Sequence, residues 1–375
     1  MEKINSLTSI RFILIMFIVN GHFFQVTKAG EFWLRFWKQH NIIVGCFFLL
    51  SGYMMALVSG TRKDSGSINT RLFLKKRLMR VYPTYFLTLL VFSPMFIYVE
   101  LFYQKSFSEL LLQIFLVLTM TQSWIPEYGT IWNGPTWFLS SIVLSWLLFP
   151  TVNRALKTFK MRNSVLLLVL TFFALLVIRC IYSSMTSWSM AEGMLAENRL
   201  PWFNFFRFFP PFNFLEFLMG VLAGHIYLSI KSQGRVLPAS LEVIFTLGFV
   251  ALLFFRSFIA MNDLLTRTVL MLPVFTGLII SLSFQRGVFS KFLGLKLFVF
   301  CGELSFSIYI LHGALGQLFY KKAVVNYLNI PFISYGLYLL ALFLLAWIMY
   351  EYIEKIVYRM KFRNKNNDSL KKRKI

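Results

Sequence analysis

Hydrophobic residues occur in long runs separated by short polar stretches along almost the whole chain. A helix needs about 20 mostly apolar residues to cross the hydrocarbon core of a bilayer. Eleven runs approach this length, and they cover residues 8–26, 42–60, 82–102, 108–122, 136–153, 164–182, 212–230, 239–258, 267–284, 297–319 and 333–353. The pattern predicts a bundle of membrane-spanning helices.

Basic residues between the runs indicate which of them cross. Lysine and arginine concentrate in cytoplasmic loops. The loops 61–80 and 154–162 carry seven and four bases, so we expect both on the cytoplasmic side, with an even number of crossings between them. Three runs lie between these loops. We therefore expect the shortest, 108–122, to be a buried or re-entrant segment. Ten spans then remain, both termini are cytoplasmic, and 25 of the 38 bases face the cytoplasm.

Composition supports a lipid environment. The chain is 58% hydrophobic and only 14% charged, whereas soluble proteins have roughly 45–50% and 25%, which excludes a soluble two-domain enzyme. The net charge of +23 does not indicate a nucleic-acid partner, because the bases flank apolar runs, where anionic lipid heads lie. We expect an all-α, polytopic protein of the inner (plasma) membrane, with a membrane domain at 1–358 and a basic cytoplasmic tail at 359–375.

The three cysteines indicate neither a disulfide scaffold nor a metal site. Cys46, Cys180 and Cys301 all lie in or beside apolar runs, without metal-ligand spacing. We expect no bound metal or cofactor.

Ionisable residues at membrane depth mark functional sites by default. Arg11 and His22 lie in the first run, eleven residues or about three helical turns apart, so they share one helix face about 16 Å apart along the axis. The alternative is that Arg11 extends to the lipid headgroups and His22 lies at the interface.

A second deep histidine favours the functional interpretation. His312 lies about 22 Å into the run that starts at 297, and His22 lies about 21 Å into the first run. Ser305 and Tyr309 fall on the same helical face as His312 and form a polar stripe with it. Hydrogen bonding between packed helices remains the alternative.

Three further features are weaker. Arg77 and Arg80 are i, i+3 neighbours at the start of a span, and their guanidinium groups suit phosphate, although a plain positive-inside anchor explains them equally well. Glu216 lies near an outer helix end, and Trp137 belongs to an aromatic helix start that follows Pro135.

Together these motifs resemble the acyltransferase 3 family of membrane O-acyltransferases, over residues 6 to about 363. The matching stretches, in the family's order, are Arg11 and His22 with ten residues between them, Phe-Phe-Leu-Leu-Ser-Gly-Tyr at 47–53, the Arg-x-x-Arg segment at 77–83, the Ser-to-His segment at 305–312, and Tyr-Ile-Glu-Lys at 352–355. One departure is clear: the Trp137 motif continues Phe-Leu-Ser-Ser-Ile, without the glutamate that many relatives carry.

The resemblance implies a cytosolic acyl-CoA donor, with acetyl-CoA as the simplest case, and a carbohydrate or glycolipid acceptor at the cell surface. Arg11, Arg77 and Arg80 would bind the donor phosphates. His22 would act as general base toward the acceptor hydroxyl, since imidazole titrates near neutral pH. His312, Ser305 or Tyr309 would orient the acceptor or stabilise the oxyanion. A covalent acyl-histidine remains open.

The rival function is a proton-coupled secondary transporter or a lipid-linked sugar flippase. Ten spans with internal charges and a histidine pair would suit such a carrier. No inverted repeat and no matching pair of Gly/Pro-broken spans supports it. Consumption of a thioester would distinguish the two classes.

Overall fold

The structure is a computed structural model that describes residues 4–24, 37, 39–60, 68–103, 105–191, 201–256, 261–319 and 331–357. These residues form helices, turns and short connections, with no β-strand among them. The helices are α1 (Asn5–Phe24), α2 (His40–Gly60), α3 (Thr70–Phe102), α4 (Phe107–Thr119), α5 (Trp137–Leu156), α6 (Met161–Ala191), α7 (Pro201–Phe208), α8 (Pro210–Ser232), α9 (Ala239–Phe255), α10 (Asp263–Ser283), α11 (Val288–Leu293), α12 (Lys296–Leu318) and α13 (Pro331–Met349).

The helix lengths confirm an all-α, polytopic membrane protein. Nine spans in the described part of the chain are long and apolar enough to cross a membrane. The predicted span at 239–258 corresponds to α9, which has 17 described residues and a length of about 25 Å. It falls just short of the hydrocarbon thickness of about 30 Å, and residues 257–260 lie outside the described part.

The run at 108–122 does not form a crossing helix. It corresponds to α4, whose 13 residues span only about 20 Å. The Tyr85 hydroxyl in the middle of α3 donates to the Val117 carbonyl at 2.6 Å, so α4 runs back along α3 into the bundle. Ser123 then donates its backbone N–H to the Ser140 hydroxyl of α5 at 2.9 Å. The chain returns through short 3₁₀ turns to the start of α5. This path is that of a re-entrant segment, as predicted for 108–122.

Two predicted loops are partly helical. The bases Arg71 to Arg80 lie on the first turns of α3, and the side chain of Asn69, the residue before the helix, accepts a hydrogen bond from the Leu72 N–H at 2.9 Å. The stretch between the predicted spans 164–182 and 212–230 contains the end of α6 and all of α7. Its Glu192, Glu197 and Arg199 lie outside the described residues. A search for apolar runs misses these helical segments, because polar residues can extend a helix beyond the membrane.

The bundle is held together by close helix crossings at glycine. A Cβ at Gly220 of α8 would collide with the Leu49 carbonyl of α2, and one at Gly52 of α2 with the Phe217 carbonyl of α8. Gly302 of α12 meets the Thr8 carbonyl of α1 in the same way. Small residues let backbones approach this closely, and in lipid such packing replaces the hydrophobic driving force between helices.

The bundle has two chemically different ends. The basic end is where α1, α3 and α12 begin, and it carries Arg71, Lys75, Lys76, Arg77 and Arg80. The histidine end is where the same three helices finish.

Candidate active site

Three histidines meet at the histidine end. His22 is two residues from the end of α1, His40 is the first residue of α2, and His312 lies in the second half of α12. The ring centroids of His22 and His40 are 4.8 Å apart, and those of His22 and His312 are 5.4 Å apart. The structure therefore brings His22 and His312 together, at the matching depths that helix geometry indicated.

The sequence interpretation missed His40. Its signal is its place directly before the second apolar run, at the same membrane face as the end of the first. Gly21 makes the approach possible, because a Cβ there would lie 2.6 Å from Nδ1 of His40. His40 and His312 are 6% and 1% exposed, whereas His22 is only half-buried. His22 is therefore the member of this cluster that a substrate reaches most readily.

The tautomer of His312 follows from its contact. Its Nδ1 lies 2.6 Å from the Tyr309 carbonyl oxygen, which can only accept, so Nδ1 carries the hydrogen. In the neutral ring Nε2 then holds a free lone pair. Nε2 is buried and has no hydrogen-bond partner among the described residues. A buried acceptor left unpaired is costly, which favours a functional role for this nitrogen.

An aromatic wall flanks the histidines. Tyr309 contacts the His312 ring at 5.8 Å and the Phe138 ring at 5.8 Å, and its hydroxyl donates to the Pro135 carbonyl. Trp137 lies 5.0 Å from Phe208, the last residue of α7. The short helix α7 thus closes one side of the site.

Ser305 lies away from the cluster. Its hydroxyl donates to the Gly302 carbonyl of its own helix at 2.7 Å, and it lies seven residues from His312, about 10 Å along the axis. The two residues share a helix face, but this axial separation is too long for a direct contact between Ser305 and His312.

Arg11 and Arg80 come together at the basic end. The two guanidinium groups are close enough to repel each other electrostatically, and Arg80 also interacts with the Glu354 carboxylate. Glu354 accepts a hydrogen bond from Ser307 of α12. The Arg77 guanidinium lies 5.5 Å from the centroid of the Phe73 ring, one turn earlier on α3. Binding of donor phosphate by Arg77 and Arg80 together stays a prediction.

Glu216 belongs to a fully buried ion cluster. Its carboxylate accepts from Arg267 Nε at 2.7 Å and from Arg179 Nη2 at 3.3 Å, and Arg267 also donates to the Asn213 side chain at 3.2 Å. Glu216 and Arg179 are 0% exposed and Arg267 is 1% exposed. The two arginines come from α6 and α10, so this cluster joins three helices. Sequence reasoning placed Glu216 near a helix end and did not find its partners.

No group of three or more His, Cys, Asp or Glu residues in the described ranges is arranged to hold a metal ion.

The fold and this site define a multi-pass membrane protein with a histidine cluster at one end and paired arginines at the other. A family model described as "Acyltransferase domain" matches residues 4–351. The chain therefore belongs to the acyltransferase 3 family, which confirms the resemblance in its motifs.

Two curated relatives are similar to parts of the chain. Acyltransferase MdmB of Streptomyces mycarofaciens is 26% identical over 234 residues, which cover 59% of this chain and 56% of the relative. Protein 2 in the picA locus of Rhizobium radiobacter is 34% identical over 96 residues, which cover 26% of this chain and 47% of the relative. The chain thus matches about half the length of each relative. No solved structure matches it.

Proposed function

We propose that this protein is a membrane O-acyltransferase that moves an acyl group, acetyl in the simplest case, from acyl-CoA to a hydroxyl of a carbohydrate or glycolipid acceptor. The observation that carries the proposal is the meeting of His22, His40 and His312, next to an unpaired imidazole nitrogen. The family match over residues 4–351 and the printed name of one relative support acyl transfer.

The orientation follows from charge. We place the basic end in the cytoplasm by the positive-inside rule, with both termini on that side and the protein in the inner membrane. The histidine end then faces the outer leaflet. The donor comes from the cytosol and the acceptor from the opposite side, so the two substrates meet from opposite ends of the bundle.

Arg80 and Arg11 are the donor anchors in this proposal. The two cations repel each other, and Glu354 attracts Arg80, so a phosphate placed between the two arginines would relieve the repulsion. Arg11 lies about 16 Å from His22 along α1. The flexible pantetheine arm of CoA can bridge such a distance and bring the thioester to the histidines.

His22 is the proposed general base, because it is more exposed than its two neighbours. It takes the proton of the acceptor hydroxyl as the oxygen attacks the thioester carbonyl. The carbon–sulfur bond then breaks, the ester remains on the acceptor, and the CoA thiolate leaves and receives the proton from His22. The free Nε2 of His312 is oriented by Tyr309 and can share the proton that His22 gains.

Purified protein in vesicles tests this function. Wild-type protein with acetyl-CoA and a panel of glycosides should release free CoA and form acetylated glycoside, measured by a thiol reagent and by mass spectrometry. His22→Gln should reduce turnover at least about a hundredfold, since general-base catalysis contributes about 10²–10⁴-fold.

His225→Gln is the matched control. His225 is a half-buried histidine on α8, outside the cluster, so this variant should keep wild-type turnover. Glycoside transport without CoA release would contradict the acyltransferase and favour a carrier. An equal loss of turnover in His22→Gln and His225→Gln would contradict the role of His22 as general base.

A further inference from the structure

A cleft of about 480 Å³ lies at the histidine end, between the last turns of α3, the helix α4 and the turns at 126–132. Its lining includes three glutamates and one lysine: Glu100, Glu109, Glu127 and Lys105. Local charge is therefore negative, in a chain whose net charge is +23. This reversal of sign distinguishes the cleft from the basic end, where the proposed donor phosphates bind.

Aromatic rings alternate with the carboxylates in this cleft. Tyr103, Tyr128 and Trp132 all contribute to its lining. A sugar ring has apolar C–H faces and a rim of hydroxyl groups, so aromatic faces and carboxylate oxygens together fit its two kinds of surface. An ionised carboxylate can only accept hydrogen bonds, so it selects hydroxyl or ammonium donors and repels an anionic ligand.

Trp132 is held firmly in place. Its φ of 57° lies in the left-handed region, which is a genuine outlier for a bulky residue and persists only where the surrounding contacts hold it. Its indole N–H donates to Gln113 Oε1 at 2.9 Å, and its ring centroid lies 5.7 Å from that of Phe96. The other end of the buried Gln113 side chain donates to Glu100 at 3.0 Å. Gln113 thus orients one aromatic and one acidic wall residue together.

The turn that lines the cleft also contacts α12, the helix that carries His312. Gln317 lines the cleft and donates to the Trp132 carbonyl at 3.1 Å, while Asn133 donates to the Ile310 carbonyl at 2.9 Å. These contacts hold the turn against α12 on both sides of His312 in the sequence. Gln317 follows His312 by five residues on α12, about 7.5 Å along the axis and on a different side of the helix, so the cleft lies at the same end of α12 as the histidine cluster.

We propose that this cleft is the acceptor site, and that it takes a neutral or amino-substituted sugar and rejects anionic sugars. The proposal rests on the proposed acyltransferase function for its role as acceptor site. The sugar preference follows from the cleft alone. Binding can therefore be measured without the donor, and a failure of catalysis is separable from a failure of the cleft.

The test uses purified full-length protein and three probes: the methyl glycosides of glucose, glucosamine and glucuronic acid. Saturation-transfer NMR without acyl-CoA reports their binding. The wild type should bind the glucoside and the glucosaminide more tightly than the glucuronide. Glu127→Lys, at an exposed position, should weaken glucosaminide binding about tenfold and strengthen glucuronide binding, because it reverses one charge in the cleft.

Tyr103 and Tyr98 form a matched pair. They lie at and near the end of α3 with similar exposure, 65% and 69%, but only Tyr103 lines the cleft. Tyr103→Ala should weaken glucoside binding about fivefold through loss of ring contact, and Tyr98→Ala should not change it. The proposal is overturned if no glycoside binds, if glucuronide binds as tightly as glucoside, or if the two tyrosine variants behave alike.

A separate CoA-release assay keeps the two proposals apart. Selective glycoside binding without CoA release would support the sugar preference of the cleft and contradict the proposed acyltransferase function. CoA release with unselective binding would sustain the acyltransferase and overturn the acceptor site.

Discussion

Two clusters of ionisable residues in the described part of the bundle differ in the kind of polar atom that they leave unpaired and in their exposure. In the ion cluster, Glu216 accepts from both Arg179 and Arg267. In the histidine cluster, the rings lie 4.8 Å and 5.4 Å apart by centroid, and Nε2 of His312 has no partner in the described part of the chain. Nε of Arg179 in the ion cluster also lacks a partner in the described part of the chain, but a guanidinium Nε can only donate, whereas Nε2 of His312 can accept a proton and lies in a cluster whose member His22 is partly exposed.

The difference suits the two clusters to different roles: the ion cluster holds helices together, and the histidine cluster is the proposed site of chemistry. Ionisable residues at membrane depth are functional by default, yet the ion cluster joins α6, α8 and α10 and has no side chain open to a substrate. Glu216 offsets one of the two buried positive charges directly. In the histidine cluster, Nε2 of His312 is left as an acceptor without a hydrogen-bond partner in the described part of the chain.

Glu216→Gln should give the largest effect, on stability. It leaves two buried arginines without a counter-charge, and breaking a buried pair in this way typically costs about 3–5 kcal/mol. Thermal unfolding in detergent would measure the loss. Protein that survives should still release CoA at low temperature. Unchanged stability together with lost turnover would reverse the comparison, and would make the ion cluster part of the chemistry.

His40→Gln should act on turnover rather than on stability. His40 contacts His22 and packs against Gly21, so its loss should misorient the proposed base. We expect about a hundredfold lower turnover, equivalent to about 2.7 kcal/mol of barrier, with an unfolding temperature close to that of the wild type. A variant with wild-type turnover would reduce the active cluster to His22 and His312.

Arg80→Lys should weaken donor binding by about 1–3 kcal/mol, because it keeps the charge but removes the planar fork. Arg77→Lys is the internal control, since the Arg77 guanidinium lies over Phe73 and is not expected to contact the donor. The Michaelis constant for acetyl-CoA measures both. Equal changes of the Michaelis constant in the two variants would indicate that Arg77 and Arg80 bind the donor phosphate together.

Cysteine labelling tests the orientation without any energetic change. Lys105 and Lys157 are both exposed, at opposite ends of the bundle. Single cysteines at these positions, in a chain whose native cysteines are replaced, should react from the outside and from the cytoplasm respectively. Labelling of position 157 from outside would show that the proposed orientation is reversed, and the sides assigned to donor and acceptor would then be exchanged.

The sequence by itself determined the class of fold and most of the candidate residues. Apolar runs report helix positions directly because a span must be apolar over its whole length. The basic loops were enough to identify 108–122 as the run that does not cross. The depth of His22 and His312 followed from the constant rise per residue of a helix.

Only the tertiary structure decided which residues meet. Helix rotation and crossing angle are set by packing between helices, as at Gly52 and Gly220, and packing leaves no periodic signal in one sequence. For this reason the sequence did not show that His40 joins the histidine cluster, or that Glu216 pairs with two arginines from distant parts of the chain. The acidic cleft likewise exists only because the turns at 126–132 fold back against α3 and α12.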